Sequence, residues 1–160
     1  MWECANRMYA DKEARRVFDS REVCAMTEEL LRKYLVEYKV ALQPNKQPLI
    51  WKKLCETIEG KLDGDVRNLF AVNAYSVKKI KDYINENKID FPYLGGNKIC
   101  NYWLYVMEQY TDVRFIDREN LTVAPDTHVI QASQRLGVIS EEEMLAANVQ
   151  QLVAERWAEL

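Results

Sequence analysis

Apolar residues recur along most of this chain at the three- and four-residue spacing of a helix face. No segment alternates apolar and polar positions as a half-buried strand does. The pattern therefore predicts an all-α fold. The predicted helical segments cover residues 2–18, 28–42, 49–59, 66–75, 77–84, 98–110, 127–136 and 141–160.

Polar residues that cap a first helical turn, and glycines that end a helix, set the boundaries of these segments. The predicted N-caps are Thr27, Ser76, Asp126 and Ser140. Glu143 stands three residues after Ser140, the spacing of a capping box. Gly60 and Gly137 are predicted to stop helices, and after Ser76 we expect a segment with an apolar inner face and a lysine-rich outer one. The inner face is Val77, Ile80, Tyr83 and Ile84, and the outer one is Lys78, Lys79 and Lys81.

The length of 160 residues suits one domain, so we predict a single helical domain over residues 1–160. Hydrophobic residues make up 48% and charged residues 29% of the chain, which excludes disordered and collagen-like classes. No apolar run approaches the roughly 18 residues of a membrane span, and we expect a soluble protein of the cytoplasm or nucleoid. The last predicted helix reaches Leu160 without a C-cap, as expected if the natural protein continues further.

Four cysteines are spread over the first 100 residues without a Cys-x-x-Cys pair, and the chain has one histidine. This composition argues against structural zinc and iron–sulfur clusters. A carboxylate site for Mg²⁺ or Ca²⁺ stays open. We expect reduced thiols that are mostly buried, and no metal or nucleotide cofactor.

The net charge of −3 is distributed unevenly. Residues 39–98 carry 11 basic and 7 acidic side chains, and residues 99–160 carry 4 and 10. The basic excess has two interpretations, solvated helix faces or contacts with the phosphates of a nucleic acid. The lysines concerned are Lys52, Lys53, Lys78, Lys79 and Lys81.

Two short motifs carry the candidate chemistry. Gly95 and Gly96 lie in a joint between helices and Lys98 follows, so backbone N–H groups at the helix start could hold a phosphate. Asp126 follows Pro125 and opens Asp-Thr-His-Val, with its carboxylate at a helix N-terminus. Each motif alone also fits a purely structural role, a tight turn in one case and a helix cap in the other.

Together the two motifs resemble the helix–hairpin–helix DNA glycosylase superfamily over about residues 91–138. Gly96-Asn97-Lys98 matches the family's hairpin glycine, spacer and catalytic lysine, and residues 126–129 match its Asp-Thr-His-Val. The chain departs from the family in its displaced first hairpin glycine and in Ala124-Pro125 before the aspartate. The 28-residue spacing from Lys98 to Asp126, without a C-terminal cysteine cluster, is more similar to the archaeal 8-oxoguanine glycosylase branch.

The resemblance implies a DNA N-glycosylase with AP-lyase activity on an oxidised base, acting as a monomer on damaged duplex DNA. Lys98 would be the nucleophile, and Asp126 would stabilise the positive charge that develops on the sugar. The implied DNA-binding residues are Gly95, Gly96, Asn97, His128, Lys78 and Lys79. The candidates for stacking on an extruded base are Trp51, Phe91, Tyr93 and Tyr102.

Two other interpretations of the sequence stay open. One is a non-catalytic helix–hairpin–helix module that binds DNA or protein. The other is an unrelated helical interaction protein in which the Asp-Thr-His-Val match is due to chance. The glycosylase interpretation requires Lys98 within a few ångströms of Asp126 in a cleft. The non-catalytic module predicts that the two residues lie far apart or that side chains fill the space between them, and the unrelated protein predicts no hairpin in residues 91–110.

Overall fold

A computed structural model describes residues 2–159, apart from the side chain of Asn97, and the all-α prediction is confirmed over that range, which contains no strand. Short 3-10 helices cover Ala14–Phe18 and Arg118–Asn120. None of the helices in this range is both long and apolar enough to cross a bilayer. The α-helices are α1 (Trp2–Ala10), α2 (Ser20–Ala25), α3 (Glu28–Glu37), α4 (Gln47–Lys61), α5 (Arg67–Val72), α6 (Val77–Glu86), α7 (Asn97–Tyr110), α8 (Thr127–Arg135), α9 (Glu141–Met144) and α10 (Val149–Ala158).

The chain divides into two compact units. Unit 1 contains the chain up to Val72 together with Asn87–Pro92, and unit 2 contains Asn73–Glu86 and the chain from Tyr93 onward. Lys98 and Asp126, the residues that the two sequence motifs single out, both belong to unit 2. That the whole chain acts as one domain stays a prediction.

Unit 1 is built on the packing of α2 against α4, its most extensive helix contact. The apolar faces of α1, α3 and the first 3-10 helix close a common core, which removes their side chains from water. Its fully buried members are Met8, Ala14, Val17, Val23 and Leu35.

Polar side chains of α4 hold the surrounding loops of unit 1. The Nζ atom of Lys52 donates to the carbonyl of Met26 at 2.7 Å. Asp90 forms ion pairs with Lys53 at 3.2 Å and with Lys61 at 2.5 Å. Part of the basic excess of residues 39–98 is therefore engaged inside the unit.

In unit 2 a distant carboxylate completes the start of α6. Ser76 caps the helix locally by accepting from the backbone N–H of Lys79, as predicted. Asp117 accepts from the backbone N–H of Val77 at 2.6 Å and from the Ser76 hydroxyl at 2.8 Å. The connection between α7 and α8, residues 111–126, is thereby tied to the first turn of α6, whose N–H groups would otherwise lack acceptors.

Several predicted boundaries and faces in the rest of the chain are confirmed. Thr27 caps α3, Asp126 caps α8, and Ser140 forms its capping box with Glu143. Gly137 follows α8 with a φ of +74°, a left-handed conformation that glycine adopts without strain. On α6 the inner residues Val77, Ile80 and Ile84 are fully buried.

The long first helix predicted for residues 2–18 is wrong. It ends at Ala10 because the carboxylate of Asp11 accepts from the backbone N–H groups of Glu13 and Ala14, both at 2.8 Å, which starts the 3-10 helix. The short α2, capped by Asp19, was not predicted.

Several later boundaries also differ from the prediction. The second predicted helix ends at Glu37, and Lys39 turns the chain with a φ of +56°. Gly60 lies inside α4, since the reversal after that helix uses Gly64 at a φ of +77°. The last predicted helix is broken into α9 and α10.

The predicted outward position of Lys81 on α6 is also wrong. This side chain is half-buried, and its Nζ atom donates to the carbonyl of Asn120. Burial lowers the pKa of Lys81. The ammonium is kept because the carbonyl replaces part of its hydration.

Replacing Asp117 with alanine should lower the free energy of unfolding by about 2 kcal/mol, because the Ser76 hydroxyl and the N–H of Val77 lose their acceptor. Urea denaturation measures the change. Asp112→Ala, which removes an exposed carboxylate from the same connection, should change stability by less than about 0.5 kcal/mol. Equal losses in the two variants would show that Asp117 contributes nothing beyond its charge.

Candidate functional site

Lys98 and Asp126, 28 positions apart in the sequence, form an ion pair with 2.6 Å between Nζ and Oδ2. Lys98 stands in the first turn of α7, and Asp126 is the N-cap of α8. The other carboxylate oxygen, Oδ1, accepts from the backbone N–H groups of His128 and Val129, both at 3.0 Å. The helix cap therefore fixes the carboxylate with its second oxygen turned to the lysine.

The pair lies in the wall of an open cavity of about 720 Å³ within unit 2. Its wall combines the starts of α7 and α8, the segment before α8, and α10. The lining residues are Gly96, Lys98, the segment 122–127, Gln150, Gln151 and Ala154. A cavity of this volume is in the range of small-molecule sites.

The electrostatics of the pair favour an ionised carboxylate. The hydrogen bond from Lys98, followed by those from the backbone of Val129 and His128, lowers the pKa of Asp126 to about 2. The side chains are 68% exposed for Lys98 and 35% exposed for Asp126. Solvent reaches both groups, so a ligand that enters the cavity can compete for either one.

Of the predicted hairpin glycines, Gly96 belongs to the same wall. Gly96 is the N-cap residue of α7 and has an extended φ of −87°, and a Cβ there would meet nothing closer than the Tyr93 carbonyl at 3.9 Å. Gly95 lies in the turn just before it. Among these joint residues the positive φ, +70°, belongs to Tyr93. The predicted contact through the Asn97 side chain lies outside the described residues.

The predicted DNA-binding side chains outside the hairpin are exposed. His128 stands in the first turn of α8, and Lys78 and Lys79 stand in the first turn of α6. Neither lysine ammonium has a partner among the described residues, in contrast to Lys52 and Lys81. These two side chains are available for phosphate contacts.

The four aromatic candidates occupy different environments. Trp51 is in unit 1, where its Nε1 donates to the carbonyl of Val17 at 2.8 Å and its ring packs edge-on against Phe18. Phe91 is also in unit 1 and is 3% exposed. Tyr93 is exposed in the hairpin turn, and Tyr102 is 58% exposed on α7. Tyr102 lies one turn after Lys98 on the same helix face, so it alone of the four combines exposure with this spacing.

Sequence reasoning missed other residues of the cavity wall. Thr122 comes from the α7–α8 connection, and Gln150 and Gln151 come from α10. Their positions follow from the folding of unit 2, and no local motif marks them. Within the described part of the chain, no group of three or more His, Cys, Asp and Glu side chains could hold a metal ion.

Comparison of the chain with protein-family models, with curated proteins and with solved structures found no match. The function of the chain is therefore inferred from the geometry of the site and from the motifs that lead to it.

Lys98→Met should raise the pKa of Asp126 from about 2 toward the ordinary value of 3.8, because the largest hydrogen bond to the carboxylate is lost. A carboxyl whose pKa is lowered by folding stabilises the fold above its unfolded pKa, and this contribution disappears as the pH falls from about 4 to about 2. The variant should therefore lose less stability than the parent over that range. A ¹³C NMR titration of the Asp126 carboxyl measures the pKa, and Lys79→Met is the control that should leave it unchanged.

Proposed function

We propose that this chain is a helix–hairpin–helix DNA N-glycosylase with AP-lyase activity, which removes an oxidised base similar to 8-oxoguanine through a lysine Schiff base. The observation that carries the proposal is the 2.6 Å approach of Lys98 Nζ to Asp126 Oδ2 in the wall of an open cavity. The two residues that the motifs single out independently meet at a place a ligand can reach.

The proposed reaction begins at the sugar of the damaged nucleotide. The neutral amine of Lys98 attacks C1′, and the bond from C1′ to the base breaks with its electron pair leaving on the base. Positive charge develops on the sugar during this step, and the ionised carboxylate of Asp126 stabilises it. Opening of the sugar ring gives the Schiff base, and loss of a C2′ proton then expels the 3′ phosphate by β-elimination.

The amine must lose a proton before it can attack. In the ion pair Lys98 is an ammonium, and Asp126 is the nearest proton acceptor at 2.6 Å. Entry of the substrate excludes water from the pair, which disfavours the charged forms and promotes transfer of that proton to Asp126. Asp126 then passes the proton to the departing base, so that the carboxylate is ionised again while positive charge develops on the sugar. The pair is thus the resting form of the proposed nucleophile and its base.

Contacts with the DNA are proposed for the hairpin and for the first turns of two other helices. The backbone of Gly95 and Gly96 and the start of α7 would approach a phosphate, as helix N-termini do. Lys78, Lys79 and His128 are exposed and would meet phosphates on either side. An extruded base would stack on Tyr102, since aromatic faces bind any base without reading its sequence.

A second candidate function is a non-catalytic module that binds DNA or protein. Two observations favour it, the engagement of Lys52, Lys53 and Lys81 inside the fold and the use of both carboxylate oxygens of Asp126 in hydrogen bonds within the chain. In that case the ion pair only joins α7 to α8.

Borohydride trapping separates the two functions. The parent chain should form a covalent adduct with duplex DNA that contains 8-oxoguanine or an abasic site, because borohydride reduces the Schiff base to a stable amine. Lys98→Ala should abolish the adduct on both substrates. Asp126→Asn, which keeps a side chain that caps helices well, should reduce it strongly. The control Lys33→Ala, at an exposed lysine of α3 in unit 1, should retain it.

Each other outcome has a definite meaning. If Lys98→Ala still forms the adduct, another residue is the nucleophile. An adduct on abasic DNA alone would keep the lyase and exclude 8-oxoguanine as the base removed. Salt-sensitive DNA binding without any adduct would support the non-catalytic module, and absence of both would exclude every DNA function proposed for this chain.

Tyr102→Ala should lower the rate of 8-oxoguanine excision about tenfold or more, because base–aromatic stacking contributes about 1–3 kcal/mol per base. Trapping on an abasic site should stay within about twofold of the parent, since that substrate has no base to hold. Single-turnover assays on the two substrates measure the difference. Tyr110→Ala, at an exposed tyrosine in the last turn of α7, is the control. Equal losses on the two substrates would contradict a stacking role.

A further inference from the structure

Asn101 places a buried amide in α7, one turn beyond Lys98. Its Nδ2 donates to the Thr122 hydroxyl at 3.2 Å, and the residue is 6% exposed. Its Oδ1 is buried and has no hydrogen-bond partner among the described residues. One N–H of the amide is therefore satisfied by a single contact, and its oxygen is not.

Folding alone disfavours such a group. A buried polar atom without a hydrogen-bond partner lowers the free energy of unfolding relative to an apolar side chain of the same shape in the same place. Leucine has the same number and branching of heavy atoms as asparagine and is the better helix former. A half-satisfied asparagine at this position therefore calls for an explanation outside stability.

The one contact that Asn101 makes leads to the candidate site. Thr122 lies in the cavity wall, four residues before Asp126 and in a part of the α7–α8 connection without helix. The hydrogen bond thus joins α7, which carries Lys98, to the segment that carries Asp126. It is a second link between the two elements that the ion pair already joins.

The hydrogen bond and the ion pair together restrict the α7–α8 connection more than the ion pair alone does. With the ion pair alone, the segment could pivot about Asp126 and the exposed lysine could follow it. The bond to Asn101 fixes a second point, and α7 itself sets the separation of Asn101 and Lys98 at one turn. The direction from which Oδ2 approaches Nζ is then determined by backbone that is already folded.

We propose that Asn101 is a positioning residue, whose hydrogen bond to Thr122 holds the α7–α8 connection so that the Asp126 carboxylate meets Lys98 in the cavity wall. Its importance for turnover rests on the proposed glycosylase function. Asn101 acts through Thr122 and Asp126, and it transfers no proton to the substrate.

The test uses Asn101→Leu, Thr122→Val and the double variant in the full chain. Each should raise the pKa of Asp126 from about 2 toward 3.8 by loosening the pair, and the double variant should do no more than either single one. Thr122→Ser, which keeps the hydroxyl, should restore the parent pKa. The thermal midpoint of Asn101→Leu should stay the same or rise, which a purely structural role would not allow.

Kinetics give a separate measure. Excision by either single variant should fall about tenfold in kcat with little change in KM, as expected when reacting groups are misplaced but binding is kept. An Asp126 pKa at the parent value in both Asn101→Leu and Thr122→Val would overturn the inference. So would a loss in Thr122→Ser equal to that in Thr122→Val.

The pKa is measured without substrate, which keeps the two proposals apart. A parent chain that shows no trapping and no excision would reject the glycosylase function, and the Asp126 titration would still decide the positioning role. If Asn101→Leu does not fold, Thr122→Val tests the same bond from the cavity wall.

Discussion

The α7–α8 connection is the constraint on which unit 2 depends. It must cross from the end of α7 to Asp126 with only one short 3-10 helix to order it. Polar contacts order this segment in place of regular structure. Asp117 accepts from the backbone at the start of α6, and Arg118 pairs with the buried carboxylate of Glu108 at 2.8 Å. The Thr122 hydroxyl accepts from the amide of Asn101. These contacts hold Asp126 beside Lys98, and the candidate site depends on them.

The helix starts predicted correctly from the sequence are those whose capping partners lie within four residues. Thr27, Ser140 and Asp126 each bond to a nearby N–H of the chain, so residue type and spacing were enough to place them. The break after Ala10 and the unpredicted α2 also begin at local aspartates, and the continuous apolar pattern obscured them. The predicted helix end at Gly60 was wrong, because glycine also occurs inside helices. The chain reverses after α4 at Gly64 instead.

The site was only partly accessible to sequence reasoning. The motifs singled out Lys98 and Asp126, and their 2.6 Å contact agrees with what the glycosylase interpretation requires, although catalysis itself stays a proposal. No comparable motif marks Asn101, Thr122 or Gln150. Their role depends on residues that lie about 20 or more positions away in the sequence, as hydrogen-bond partners or as other parts of the cavity lining. The same is true of Lys81, whose partner, the Asn120 carbonyl, lies 39 residues further along the chain.

The two oxygens of Asp126 have separate tasks, and this division has a consequence for substitution. Oδ1 serves the backbone of α8, and Oδ2 serves Lys98. Glutamate keeps the charge but is too long to cap the helix in the same way, and serine keeps a cap but removes the second oxygen. Asparagine alone preserves the shape, at the loss of the charge. None of these single replacements therefore keeps both the cap of α8 and the ion pair with Lys98.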